Sequence, residues 1–385
     1  MTSASASAVP PELPGLTELR LSAFKGHRRR TLRLDPVTVL AGSGKTSALQ
    51  ACEALARMAG GDQLDECFGA VPGGARGCIP RQARPDAGGR RGFRIGVSAG
   101  GPLGEVRLDV AVQAEPELRI VGERLTGAGH QLFSTALRDP GRRQVQAGWR
   151  TAGAVPVTRA PLPDDRLGTA LLPLRVAGRT EGERLVLAAA EQVVVALRSL
   201  FPCEPRPAAM RAPVLPDAGA LLPDCGNLAG VLRRVRDACA TRHGLLVDAV
   251  RDGCGGRVYD VCAEELPGGA VRAVLDRGDP YGCSPLEDLG DGELRYVALA
   301  LVLLSGPEVR AVEPDAETPG SCPALTVLAD GLDRALSTGQ HTALLRLAAR
   351  TAAGGRVRLL GAVAAAGEAR TVRGITVVDL GHDEP

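Results

Sequence analysis

The sequence predicts an α/β fold: a central, mostly parallel sheet carrying an antiparallel β subdomain and a helical insertion. Three observations lead there. An apolar run, Val37 to Ala41 (VTVLA), passes through the glycine turn Gly42-Ser43-Gly44 into a helical pattern from Thr46, the order of a covered parallel strand and its crossover helix. Between residues 91 and 158 the pattern changes to short alternating segments, as in an antiparallel meander. The last third returns to strand–helix–strand order around a second apolar run at 324–329.

In chain order, residues 17–24 (TELRLSAF) and 31–35 (TLRLD) alternate like half-buried strands, and a helix over Thr46 to Met58 places Leu49, Cys52, Leu55 and Ala56 at helical spacing. Residues 59–92, rich in Gly, Pro and Arg, read as a long loop, and FRIGVSA, EVRLDVAVQA, ELRIVGERL and QVQAGWRTA as the strands of the antiparallel lobe, 91–158. A helical insertion spans 180–255. It holds an amphipathic helix (TEGERLVLAAAEQVVVALRSL) and a second at 227–251, N-capped by Asn227 and breaking near Gly244. Strands are expected at 257–263 and 270–276, a helix at 291–304, and then strand 324–329, helix 339–353 and strands 356–361 and 374–380. Residues 1–15 (MTSASASAVPPELPG) read as a disordered tail, leaving 16–385 as a single unit.

Composition narrows the function classes. A chain of 385 residues that is 44% hydrophobic and 23% charged has soluble globular proportions and can bury a large core. Aromatics are only 2%, so the core is built from Ala, Val and Leu, and single-strand nucleic-acid modules, which stack bases on aromatic rings, are not expected. The net charge of +2 calls for no polyanion, and the one basic cluster, Lys25 to Arg30 (KGHRRR), reads as a solvated loop, so charge does not support a nucleic-acid partner. Ten cysteines without a CxxC pair and five dispersed histidines (His27, His130, His243, His341, His382) give no zinc pattern. With no secretory signal and no apolar run of the roughly 18 residues a membrane span needs, the expectation is a cytoplasmic protein with reduced, mostly buried thiols.

Only two lysines, Lys25 and Lys45, stand against 44 arginines. A composition that uses arginine wherever either cation serves keeps lysine where a compact, flexible ammonium is required. The planar guanidinium fork is not an equivalent phosphate ligand inside GSGKT.

In a phosphate-binding loop, successive backbone N–H groups and a helix N-terminus surround a phosphate, lysine reaches its oxygens and Ser/Thr coordinates Mg²⁺. Gly42, Ser43, Gly44, Lys45, Thr46 and Ser47 supply the second half of that cradle. The usual spacing is Gly, four residues, then Gly-Lys-Ser/Thr. Here Val39 occupies the position of the first glycine, so the loop is short by about three residues. Two readings stay open: a nucleotide loop working with a shortened arch, and a degenerate loop that no longer closes round a triphosphate.

Two further segments matter. In LGDGELRYVALALVLL, Gly290-Asp291-Gly292-Glu293 lies just ahead of a helix whose N-terminal amides suit an anion. In ALTVLADGLDRALS, an apolar strand ends in Asp330, as when a P-loop protein sets a carboxylate beside Mg²⁺.

The order of the three segments resembles the P-loop NTPase heads of the ABC type found in the RecF, SMC and OLD group, also known as AAA-family ATP-binding proteins. LTELRLSAFKGHRRRTLRLDPVTVLAGSGKTSALQACEALAR resembles the start of those heads, LGDGELRYVALALVLL their signature, and ADGLDRALS their Walker B and D-loop; PAAMRAPV and NLAGVLRRVRD are similar too. The resemblance covers about residues 16–380. It implies ATP and Mg²⁺ as cofactors, with Gly42 to Ser47 and Lys25 around the nucleotide and Thr46 and Asp330 at the metal. Gly290 to Glu293 would cap the γ-phosphate of a second copy, which makes the expected partner a nucleotide-dependent homodimer. The chain departs from the group at four places. The loop is short, the signature serine is Gly290, the glutamate after the Walker B aspartate is Gly331, and AVAAAG replaces the switch histidine segment. Asp333 is then the nearest carboxylate for catalysis beside Asp330. No coiled coil or nuclease segment extends the pattern, so neither an SMC-type arm nor an OLD-type nuclease is expected. The resulting expectations are an ATP-dependent dimer with slow or absent hydrolysis, a scaffold without turnover, or a DNA-repair or phage-defence ATPase.

Overall fold

The structure, a computed structural model, describes residues 13–151, 157–216, 219–310 and 324–381. The tail expected at 1–15 lies outside them except for its last three residues. The chain runs β1 (Gly15–Phe24), β2 (His27–Arg33), β3 (Val37–Ala41), α1 (Lys45–Gly60) and α2 (Leu64–Cys67). Next come β4 (Arg91–Gly100), β5 (Val106–Glu115), β6 (Arg119–Gly127), β7 (His130–Ala136), β8 (Gln144–Arg150) and β9 (Val157–Pro163). They lead through α3 (Gly168–Leu171) and α4 (Glu181–Arg198) to β10 (Leu200–Pro202), α5 (Pro207–Met210), α6 (Leu228–Ala238) and α7 (Ala240–Gly253). The last part holds β11 (Asp260–Glu265), β12 (Val271–Asp276), β13 (Cys283–Pro285), α8 (Asp291–Ser305), β14 (Leu325–Ala329), α9 (Thr338–Ala352), β15 (Val357–Ala362), α10 (Gly367–Thr371) and β16 (Thr376–Asp379).

Five parallel strands in the order β10-β14-β15-β3-β16 form the central sheet. Every residue of β3 and β14 is buried, because both faces are covered. Leu40, Leu328 and Leu360 face one core, shared with the antiparallel sheet; Val39, Val327 and Leu359 face the other, shared with α6 to α9. The architecture is α/β: a parallel sheet with separate antiparallel sheets.

The antiparallel sheet is larger than residues 91–158: eight strands in the order β2-β1-β4-β5-β6-β7-β8-β9. β1 joins it through Leu19↔Leu32 on one side and Leu19↔Val97 on the other. KGHRRR is correspondingly not a loop, since β2 begins at His27. The expected loop at 59–92 contains α2 and a 3₁₀ turn at Gly74–Cys78. It buries Phe68 against Phe93, which in turn meets Phe24 edge to face at ring distances of 5.4 and 5.1 Å.

The stretch 180–255 is not one helical unit. α4 opens with a capping box from Thr180 and Glu183, then lays Val186, Ala189, Ala190, Val193 and Ala196 under the antiparallel sheet. α6 and α7 instead pack beside α8 and α9. The helix expected at 227–251 breaks at Cys239 (φ −158°), whereas Gly244 sits inside α7. Asn227 precedes α6 without capping it: its amide accepts from Leu222 N–H and donates to Ala220 O, tying down the preceding loop.

Candidate functional site

β3 stops at Ala41 because Gly42 and Gly44 turn the chain through φ of 86° and 84°, left-handed conformations that side chains disfavour. α1 follows at once, and its first bond runs from Ala48 N–H to Gly44 O. The amides of Lys45, Thr46 and Ser47 therefore have no acceptor within the helix, and the positive end of a 16-residue helix faces the turn. Asp330 arrives from the end of β14, one strand beyond β15, and its Oδ2 accepts a 2.8 Å hydrogen bond from Thr46 Oγ1. A hydroxyl and a carboxylate converging at a helix N-terminus are hard oxygen donors suited to Mg²⁺ in a phosphate complex.

The other side of the turn is closed by the chain itself. Ser43 N–H donates to Gly381 O at 3.0 Å, and Leu380 N–H to Ala41 O at 2.9 Å. A Cβ on Gly42 would lie 2.8 Å from Gly381 N and 2.9 Å from Asp379 Oδ1. A Cβ on Gly44 would fall 2.6 Å from the ring of buried His27, whose Nε2 lies 3.1 Å from Gly44 O. The ammonium of Lys45 turns back onto Gly42 O at 2.7 Å. The residues present thus fit a magnesium-bound phosphate on the α1 side, while the segment 379–381 and His27 stand on the side of the missing arch.

Lys25 is not brought into the turn; its Nζ is bound to Gln50 further along α1. The signature residues form a separate group. Gly290 N-caps α8 with open space around its Cα, whereas a Cβ on Gly292 would lie 2.3 Å from Ala335 O, so α8 begins hard against the turn after β14. Both carboxylates of that first turn are engaged: Asp291 accepts from Arg211 at 2.8 Å and Glu293 from Gly255 N–H at 2.8 Å.

Asp333 has another use. Its Oδ2 accepts from the amides of Ala364 and Ala365 at 2.7 and 3.3 Å, tying the turn after β14 to the loop after β15. Gly331 takes φ 60°, and a Cβ there would meet Arg334 Nε at 2.9 Å.

Two residues of this region escape the sequence reading. Arg295, buried in α8, donates to Pro205 O, Gly331 O and Arg334 O at 2.6, 2.9 and 3.0 Å and so holds the turn that presents Asp330. Burial, and then the charge of Arg334, pushes its pKa down from the usual guanidinium value. A lone arginine between Leu294 and Tyr296 in an apolar helix was the available signal. His341, buried in α9 with Nδ1 4.0 Å from Glu368 and Nε2 unpartnered, titrates low because burial disfavours its charge, opposed by Asp333 and Glu368.

Among the described residues no group of three or more His, Cys, Asp or Glu side chains could hold a metal, and no helix is long and apolar enough to cross a membrane. The described cysteines are all free, and burial drives the thiols of Cys52, Cys67 and Cys254 up to about 12, where thiolate chemistry is suppressed.

No protein-family model matches the chain, and no curated protein matches it. Among solved structures it is similar to an SMC head bound to the C-terminal winged-helix domain of ScpA (9% identity, 91% of this chain and 90% of that one, TM-score 0.46). It is also similar to the SMC head domain from Thermotoga maritima (13%, 94% and 94%, TM-score 0.42). A third is the Smc head domain with an extended coiled coil bound to the C-terminal domain of ScpA, derived from Pyrococcus furiosus (11%, 92% and 90%, TM-score 0.43). Likeness at this level says nothing about activity, and the functional reading rests on the chain's own geometry.

Proposed function

We propose that the chain is an ATP-binding protein of the ABC/RecF-like ATPase type, which binds Mg²⁺–ATP through its shortened loop, dimerises in response and hydrolyses slowly or not at all. The observation that carries this reading is the 2.8 Å contact between Thr46 Oγ1 and Asp330 Oδ2 beside the open end of α1. With nucleotide bound, Lys45 would exchange Gly42 O for a phosphate oxygen, the amides of Lys45 to Ser47 would donate to phosphate, and Thr46 and Asp330 would supply oxygen ligands to Mg²⁺, which would neutralise the phosphate charge. Among the described residues nothing comparable serves hydrolysis. A water attacking phosphorus needs a base, Gly331 has no side chain, and the Asp333 carboxylate is engaged by two amides. Gly290 to Glu293 at the start of α8, of which Gly290 and Asp291 are exposed and Gly292 and Glu293 half-buried, are the surface offered to the nucleotide of a second copy.

A scaffold without nucleotide is the second reading, favoured by the Ser43–Gly381 hydrogen bond, which occupies an amide that would face phosphate. Equilibrium titration of a fluorescent ATP analogue with Mg²⁺ separates the two. Saturable binding abolished by Lys45→Ala supports the nucleotide reading; binding that Lys45→Ala leaves intact overturns it, and no binding by wild type favours the scaffold.

A further inference from the structure

Two thiols lie side by side next to the turn that presents Asp330. Cys203, which follows β10, and Cys225, just ahead of α6, are 22 residues apart in sequence, with their sulfurs 3.9 Å apart. The backbone brings them there. Glu204 N–H donates to Pro223 O at 2.8 Å and Arg206 N–H to Asp224 O at 2.9 Å, so the two segments run as a short hydrogen-bonded pair. Both cysteines are buried, but under a thin cover: Arg206, Leu222 and Pro223 are exposed, and Glu204 and Asp224 half-buried. Cys225 holds φ 59°, a left-handed conformation that side chains disfavour and that glycine takes without strain.

A cation stands beside the pair. The charge of the buried Arg295 guanidinium acts on both sulfurs and favours the thiolate of either. The thiol of Cys225 is pushed up, first by its hydrogen bond with Cys203 and then by burial, with Arg295 opposing. Cys225 therefore keeps its proton and directs it towards Cys203, whose sulfur is the first nucleophile. The segment that carries Cys203 is tied to the Asp330 turn by three contacts. Cys203 N–H donates to Leu328 O at 2.8 Å, and Arg334 pairs with Glu204 at 3.1 Å. Arg295 joins Pro205 O to Gly331 O and Arg334 O.

We propose that Cys203 and Cys225 form a reversible disulfide that clamps this segment and stiffens the turn presenting Asp330, whether or not nucleotide is bound. The oxidant is a peroxide. The Cys203 sulfur attacks one peroxide oxygen, the O–O bond breaks, and the departing hydroxide takes up the Cys203 proton as water, leaving a sulfenic acid. The Cys225 sulfur then attacks the Cys203 sulfur, the S–O bond breaks, and hydroxide leaves with the Cys225 proton as a second water. The two sulfurs together give up the two electrons that reduce the peroxide, and a dithiol reductant returns them by exchange. Closure to an S–S bond of about 2.05 Å brings the sulfurs about 1.9 Å closer, a movement of side chains across a backbone pair already formed.

The test exposes the full chain to hydrogen peroxide, blocks the remaining thiols with N-ethylmaleimide and maps the peptides by mass spectrometry. Wild type should give a Cys203–Cys225 link, lighter by two hydrogen atoms and reversed by dithiothreitol. A disulfide that closes 22 residues should raise the melting temperature by about 4 °C in a chain of this length. Hydrogen exchange at the amides of Leu332, Arg334 and Leu336, which are bonded within and across the turn, should slow on oxidation. Cys203→Ser and Cys225→Ser should each lose the link, the melting shift and the change in exchange. Thiols at Cys203 and Cys225 that stay free while the exposed Cys283 is oxidised overturn the proposal, as does a link from either to another cysteine. A Cys203–Cys225 link that leaves exchange in the turn unchanged overturns the clamp.

Discussion

The hydroxyl of Thr46, in the first turn of α1, and the carboxylate of Asp330, just past the end of β14, meet at 2.8 Å across 284 residues of sequence. An exposed hydrogen bond of this kind adds only about 1 kcal/mol to folding. Its removal should therefore act on ligand binding more than on stability. Asp330→Asn should leave the melting temperature within a few degrees of wild type yet abolish the tightening of ATP-analogue binding by Mg²⁺, measured against EDTA. A variant that keeps its full Mg²⁺ response would remove Asp330 from the metal site.

The contacts of Leu380 and Gly381 with the turn predict how the loop can be improved. Asp379 Oδ1 lies 2.9 Å from where a Cβ on Gly42 would stand, so a carboxylate borders the place a phosphate would enter. At a partly exposed site such repulsion costs about 0.5–1 kcal/mol, and Asp379→Asn should tighten nucleotide binding about two- to fivefold. Inserting Gly-Pro-Asn after Ala41 restores the usual spacing but must displace the Ser43–Gly381 bond, worth on the order of 1 kcal/mol. It should still tighten binding; weaker binding after both changes would refute the shortened-arch account.

Gly290 offers the clearest handle on dimerisation. It has φ −63° and open space, so serine enters without strain. Gly290→Ser should stabilise α8 by a few tenths of a kcal/mol as an N-cap and add a hydroxyl to the surface facing the partner's nucleotide. Sedimentation velocity with ATP and Mg²⁺ should show a larger dimer fraction than wild type. A tight dimer without nucleotide, indifferent to this change, would contradict nucleotide-driven pairing.

Much of the parallel core was legible because β3 and β14 are covered on both faces and so read as unbroken apolar runs. Lys45 stood out for a compositional reason, and Asp330 because it ends such a run. The first half of β2 was hidden by three consecutive arginines, and only its end, within the expected strand 31–35, was legible. Alternation survives in position but not in residue type, since Arg30 turns inward and bonds Leu380 O at 2.9 Å while Arg29 turns outward. The break at Cys239 carries no glycine or proline to announce it. The closure of the turn by Gly381 was invisible because a backbone contact across more than three hundred residues leaves no mark on residue type.

His341 gives a prediction in pH. Burial holds its folded pKa below the unfolded value near 6.5, so the unfolded chain binds the proton more readily. Its contribution favours folding fully above that unfolded pKa and is lost as pH falls from there towards the folded value. Melting temperatures between about pH 7.5 and 5 should therefore drop more steeply for wild type than for His341→Gln. Parallel pH profiles would show that another group sets the acid limit.

Hydrolysis should run far below the ordinary enzyme scale of about 1 s⁻¹, because a positioned base typically contributes about 10²–10⁴-fold, and among the described residues the one considered for that role, Asp333, is held by two amides. Asp333→Ala separates structure from catalysis. It strips the amides of Ala364 and Ala365 of their acceptor, at a cost of about 1–3 kcal/mol in stability, yet should leave the slow rate unchanged. Gly331→Glu restores a carboxylate at the position after Asp330 but places it at φ 60°, about 1 kcal/mol of backbone strain, against the guanidinium of Arg334. Pairing it with Arg334→Ala frees the new carboxylate, so the double variant should hydrolyse faster than either single change. Phosphate release by wild type and the four variants (Asp333→Ala, Gly331→Glu, Arg334→Ala and the double variant) under single-turnover conditions decides the matter. Brisk wild-type turnover that Asp333→Ala abolishes would make Asp333 the base and overturn its assignment as a latch between two loops.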